Sequence, residues 1–351
     1  MLALALAACQ PLPEVEYETE RLSLATDFDE PVCAGTLAAL DSAAAHIDDT
    51  FARDDNDDRY VVYWLEDELS DFCDDDASGC YYPGTRVVFA HAESIAHELV
   101  HATIDSPGDA FFMEEGIAEL YGGTGVRHRA SNIEGRLASQ LMLSRRDYEH
   151  GRLSYPQAAH FTHWLRETEG ISAVQRLASH LSEGADDAEI GTQLELIFGE
   201  LLPTIEDRYR EEAPRLYRGI YDDQIETAQL GDTTLWAKMR LNCSSEHVLG
   251  PLPGPTEGMA RLLRLEVPQR RDARLVVHGD PGTWVEIVDP YVADREFSTP
   301  WWPTRDHEGR LVRAEPGMSA SVTLDAGTYL VVFASMGTTP RLVELQILRG
   351  R

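Results

Sequence analysis

The chain has 351 residues, 43% hydrophobic, 26% charged and 8% aromatic, a balance that excludes wholesale disorder and leaves room for two domains with separate cores. Acidic residues outnumber basic ones 61 to 30, giving a net charge of -31, so the surface would repel phosphate backbones and sequence-general nucleic-acid binding is excluded. No apolar run reaches the ~18 residues that a helix needs to span a bilayer.

In chain order, residues 1–9 read as the end of a secretion signal, an apolar run with small residues just before Cys9. Leu6-Ala7-Ala8-Cys9 resembles the lipobox of bacterial lipoproteins, in which the cysteine becomes the lipidated first residue. The resemblance implies an exported chain held at the bacterial cell envelope, touching the membrane only through its lipid anchor; secretion into the medium is the alternative. Residues 10–30, rich in Pro, Glu and Asp, would be the tether.

Cys33, Cys73, Cys80 and Cys243 remain, an even number suited to an oxidising compartment. Cys73 and Cys80 flank Asp-Asp-Asp-Ala-Ser-Gly, short and turn-rich enough to close with a disulfide. Cys33 with Cys243 would follow by elimination; four cysteines allow three pairings, and this one is favoured. No CxxC pair exists, which argues against a cysteine zinc site.

Residues 33–53 carry Leu37, Leu40, Ala44, Ile47 and Phe51 at helical spacing, and the acidic run 54–58 ends that helix. Asp54, Asn56 and Asp58 mimic the opening of a calcium loop, but Arg59 and Leu65 occupy the places of its glycine and final Glu, so a solvated turn is the better reading. Residues 60–65 and 85–90 read as strands. Residues 92–104, 112–121, 156–168 and 171–182 read as helices.

From about residue 258 the texture changes to short β runs at 262–267, 274–277, 284–288 and 328–333, with Gly or Pro between them. Val322-Thr-Leu-Asp-Ala-Gly-Thr-Tyr-Leu-Val-Val resembles the closing hairpin of small β-sandwich modules attached to secreted bacterial peptidases. Trp301 and Trp302 are weighed as a sugar platform, with sandwich-edge packing the plainer account.

His97-Glu98-Leu99-Val100-His101 matches H-E-x-x-H. On a helix, positions i and i+4 lie one above the other, so both imidazoles reach one metal ion while Glu98 stands beside it. Ile95, Ala96, Leu99, Val100 and Ala102 make this a buried helix, where an unpaired histidine would be costly. A catalytic zinc wants a third protein ligand and an open fourth position.

Downstream, Glu115-Gly116-Ile117-Ala118 resembles the E-G-x-A segment of the gluzincin metallopeptidases. The resemblance implies Glu115 as third zinc ligand, and Glu119, one turn on, as the carboxylate supporting a ligand histidine. Only 13 residues separate His101 from Glu115, so the link must be compact. Glu114 is a rival ligand by chemistry alone. The metzincin pattern fails, because Ile104 and Pro107 stand where its Gly and His belong.

Tyr155-Pro-Gln-Ala-Ala-His-Phe-Thr-His-Trp-Leu165 is similar to the tyrosine-bearing helix of gluzincin aminopeptidases, which implies a Tyr155 phenol donating to an oxyanion. His160 and His163 on this helix are either supporting groups or packed ones.

The expected architecture is therefore an α+β zincin-like catalytic domain (31–230) followed by an all-β sandwich (231–351). The expected function is zinc-dependent hydrolysis of peptides or proteins, with Zn²⁺ on His97, His101 and Glu115 and Glu98 as general base on a zinc-bound water. The strand at 85–90 would lie beside the cleft and pair with an extended substrate. Two other readings stand beside this one: a cell-surface binding protein with a relic peptidase domain, and a zinc hydrolase with a non-peptide substrate.

Overall fold

The computed structural model describes residues 12–51, 59–66, 69–74, 77–104, 111–122, 141, 155–181, 185–212, 225–231, 234–252, 258–289 and 310–350. Cys9, the acidic run 54–58 and Trp301 with Trp302 lie outside the described residues. The fold is mixed: helices and one sheet in the N-terminal part, two further sheets in the C-terminal part.

The first sheet has the order β1 (Val15–Glu18), β2 (Leu22–Thr26), β3 (Tyr60–Trp64), β5 (Val87–Ala90), β4 (Gly79–Tyr81). Its three inner strands run parallel, and β1 and β4 are antiparallel edges. Two expectations are corrected here. Residues 15–26 are no tether: Leu22, Leu24 and Ala25 are buried, so β2 is held by core contacts and by a parallel ladder to β3. The strand at 87–90 is not the free edge, because it is already paired on both sides, and β4 takes that place.

Helix α1 (Ala34–Phe51) packs against α2 (Ile95–Ile104), which a single 3-10 turn (Ala92–Ser94) joins to β5. A buried polar cluster lies below: Asp48 of α1 accepts from the Tyr60 hydroxyl at 2.7 Å and meets Arg21 and Arg86 at 3.4 Å each. Tyr60 also bonds Thr103 of α2, so α1, β3 and the H-E-x-x-H helix share one network. Beyond come α3 (Phe111–Tyr121), α4 (Tyr155–Glu169), α5 (Ile171–His180), α6 (Asp187–Phe198) and α7 (Leu202–Glu212). Asp186 caps α6 by accepting from Glu189 N–H at 2.8 Å, and Gly199 ends it in the left-handed region. Among the described residues no helix is long and apolar enough to cross a membrane.

The C-terminal part contains β6 (Thr227–Gln229), β7 (Leu235–Leu241), β8 (Met259–Val267), β9 (Arg271–Gly279), β10 (Thr283–Val288), β11 (Arg310–Ala314), β12 (Ser319–Leu324), β13 (Gly327–Ser335) and β14 (Arg341–Arg349). One sheet runs β11-β10-β13-β8-β6, the other β12-β9-β14-β7. Alternate residues such as Leu263, Leu265 and Val267 in β8 meet Leu275 and Val277 in β9 and Val343, Leu345 and Ile347 in β14 in one core. The segment 322–332 is not a hairpin: β12 pairs with β9 and β13 with β8 and β10, so the short link at 325–326 crosses between sheets. Because β6 pairs with β8, this part begins before residue 231.

Both disulfides form, Cys33–Cys243 and Cys73–Cys80, which fits an oxidising, exported environment. The first fastens α1 to the β-rich part. Beside it, Cys33 N–H donates to Gly250 O and Ala34 N–H to Cys243 O, both at 2.8 Å. The Thr36 hydroxyl both donates to Gly250 O and accepts from its N–H, at 2.9 Å each. A loop of the β part thus satisfies the first N–H groups of α1, work that a side-chain cap usually does.

Candidate metal site

The helix period delivers His97 and His101 to one face of α2, with their Nε2 atoms 3.1 Å apart. Helix α3 brings the third group: Glu115 Oε2 lies 3.3 Å from His97 Nε2 and 3.6 Å from His101 Nε2. Gly116 explains the close seat of α3. A Cβ there would lie 2.7 Å from the Ala158 carbonyl oxygen, so only glycine lets α3 press this tightly on α4. The E-G order therefore has a packing cause in this chain.

Electrostatically the three groups form a pocket for positive charge. Burial pushes the His97 imidazolium down, yet Glu115 and Glu119 outweigh it and hold His97 well above its ordinary pKa. Burial likewise opposes the charged form of His101, and Glu115 again overrides it. Burial would raise Glu115, but His101 and His97 together hold it far below the usual carboxylate range. Glu115 Oε2 and His97 Nδ1 are both buried with no hydrogen-bond partner among the described residues.

These observations fit a metal ion. Four ligands at ~2.0–2.1 Å in a tetrahedral shell stand roughly 3.3–3.4 Å apart, and the three measured separations bracket that span. Two imidazoles and one carboxylate are the borderline donors that suit zinc. Among the described residues His97, His101 and Glu115 are the group of metal-ligating side chains whose atoms all converge within 4.8 Å.

The neighbours fall around this trio as follows. Glu119 Oε1 is 3.2 Å from His97 Nδ1, on the far side of the ring from Glu115. Glu98 is buried on α2 between the two histidines. The Tyr155 ring stands nearly perpendicular to His97 with centroids 6.2 Å apart. Glu114 is buried but outside the converging group. His160 and His163 also lie outside it: His160 Nδ1 meets the Tyr209 hydroxyl at 2.6 Å, and His163 faces Glu167 at 3.6 Å.

One neighbour carried no signal in the sequence. Tyr81 of β4 stacks on His101, centroids 5.6 Å apart and planes within 10°. Nineteen residues, including all of β5, separate the two, and no motif links them.

No family model matches the chain, and no curated protein does. Among solved structures, the pre-peptidase C-terminal domain of a collagenase from Bacillus anthracis is 10% identical with a TM-score of 0.24, over 35% of this chain and 95% of that one. PliG of Aeromonas hydrophila, a periplasmic inhibitor of g-type lysozyme, is 10% identical with a TM-score of 0.22, over 35% and 96%. PliG of Salmonella Typhimurium is 11% identical with a TM-score of 0.18, over 35% and 98%. At scores this low none of the three bears on fold or function.

Proposed function

We propose that the chain is a zinc-dependent peptidase of the gluzincin kind, its α+β zincin-like part carrying the site and its β-sandwich following. The observation that carries this reading is the convergence of His97, His101 and Glu115, with Glu98 on the same helix as both histidines. Bound by these three residues, zinc supplies Lewis acidity that polarises a carbonyl and acidifies water.

The chain's own residues do the rest. Glu98 takes the proton of the attacking water as its oxygen bonds to the carbonyl carbon, then gives that proton to the amine as the C–N bond breaks. Glu119, facing His97 Nδ1, holds that imidazole in register. The Tyr155 phenol, beside His97, donates to the oxyanion of the tetrahedral intermediate. The outer edge of β4 offers its backbone groups to an extended peptide, the role first assigned to residues 85–90. Export with a lipid on Cys9 completes the proposal, on the strength of the Leu-Ala-Ala-Cys segment.

The test is digestion of a peptide library by the wild type and by Glu98→Gln. Cleavage by the wild type that a chelator abolishes, with none by the variant, supports the reading. Zinc uptake without cleavage of any peptide would sink it in favour of a relic domain or a non-peptide substrate.

A further inference from the structure

We propose that β4 is a positioning element of the site: Tyr81 orients the His101 imidazole, Gly79 seats the Glu98 carboxylate, and the Cys73–Cys80 disulfide clasps the strand in place. This rests on the zinc reading above and adds residues that the H-E-x-x-H…E pattern does not contain.

Strand period gives β4 two faces with different work. Residues 79 and 81 share one face of β4 and residue 80 takes the other. On the first face Tyr81 lies flat on His101, and Gly79 backs Glu98. A Cβ on Gly79 would stand 2.7 Å from Glu98 Cγ and 2.9 Å from Oε1, so any side chain there displaces the carboxylate. On the other face Cys80 bonds Cys73, and both pack on the small cluster of Leu65, Leu69 and Phe89.

The two histidines are not equivalent. His97 has Glu119 beside its Nδ1, whereas among the described residues no carboxylate pairs with the corresponding nitrogen of His101. The broad face of His101 is covered instead by Tyr81, so the stack fixes the ring plane.

The strand is also short. A three-residue edge strand with one ladder is too short to hold its own position, and the covalent tie from Cys80, next to Tyr81, back to Cys73 supplies the restraint.

The experiment titrates the full chain with Co²⁺, reading the visible ligand-field spectrum and the affinity by chelator competition. Tyr81→Leu, which keeps bulk without a ring, should weaken Co²⁺ binding ~10–100-fold and alter the spectrum, while Tyr81→Phe keeps both. Cys73→Ala/Cys80→Ala should follow Tyr81→Leu in the same direction. Gly79→Ala should lower kcat with Co²⁺ affinity retained, since it moves the base and not a ligand. Circular dichroism verifies the fold of each variant, and the cysteine pair serves if a Tyr81 variant does not fold. Wild-type affinity and spectrum in both Tyr81→Leu and the cysteine pair would overturn this inference and leave the zinc site standing. Failure of the wild type to take up Co²⁺ would overturn both.

Discussion

His97 Nδ1 lies 3.2 Å from Glu119 Oε1 while the opposite nitrogen of the same ring lies 3.3 Å from Glu115 Oε2. One imidazole thus stands between two carboxylates one helical turn apart on α3, and the proposed role of the outer one is to orient that ring. Glu119→Ala is expected to lower zinc affinity ~10–100-fold, and Glu119→Gln less, because an amide oxygen keeps a polar neighbour beside Nδ1. Competition against a chromophoric chelator measures both; unchanged affinity in Glu119→Ala would remove Glu119 from the site.

The N-terminus of α1 ends in the β part, so the two parts should unfold together. Scanning calorimetry is expected to show one transition. Cys33→Ala/Cys243→Ala opens a tie of sequence separation 210, and in the chain-entropy account loses at most about 5 kcal/mol. Thr36→Val leaves the Gly250 N–H without its buried partner, while Cys33 N–H still donates to the Gly250 carbonyl, at a cost of about 1–3 kcal/mol. Two separate transitions in the wild type would contradict the shared cap.

Glu286 gives a pH signature remote from the site. It is buried in β10, and burial raises its pKa despite Arg310 at 3.4 Å and Arg313 at 3.5 Å. A carboxyl raised in the folded state gives stability that is complete below the unfolded value of ~4.3 and lost as pH rises through the folded value. Glu286→Gln, neutral throughout, should therefore gain on the wild type as pH rises from 4 to 8. Urea unfolding across that range tests it, and a gap that widens as pH falls would reverse the sign.

Tyr155→Phe should lower kcat by ~10²–10³ with little change in KM, the loss expected for one oxyanion donor. Wild-type turnover would take Tyr155 out of the mechanism and leave the metal shell as it is.

The site's helices were legible because its chemistry is local. The i, i+4 histidines and the Glu115–Glu119 turn each sit within one helix, where spacing fixes the face. Helix α1 and strands β3, β8, β9, β10 and β13 also carried their period openly. The β4 strand did not: three residues beginning with glycine have no alternation to read, so the substrate-pairing role falls in the sequence to residues 85–90, although the apolar run at 87–90 marks a strand buried between two others. The link at 325–326 read as a hairpin because turn residues between two β runs look the same whether the second strand stays in the sheet or changes to the other. Residues 10–30 read as a tether because the acidic flanks of β2 hid a five-residue core strand. Tyr81 on His101 was invisible for a different reason: it is a tertiary contact with no spacing rule.

The central claim is a zinc ion on two histidines of α2 and one carboxylate of α3, and diffraction from crystals of the purified protein on both sides of the zinc edge tests it most directly. The account predicts one anomalous peak per chain, ~2.0–2.2 Å from His97 Nε2, His101 Nε2 and a Glu115 carboxylate oxygen, retained in Glu98→Gln. No peak in zinc-supplemented crystals, or a peak with the Glu115 carboxylate more than ~6 Å away, would contradict it.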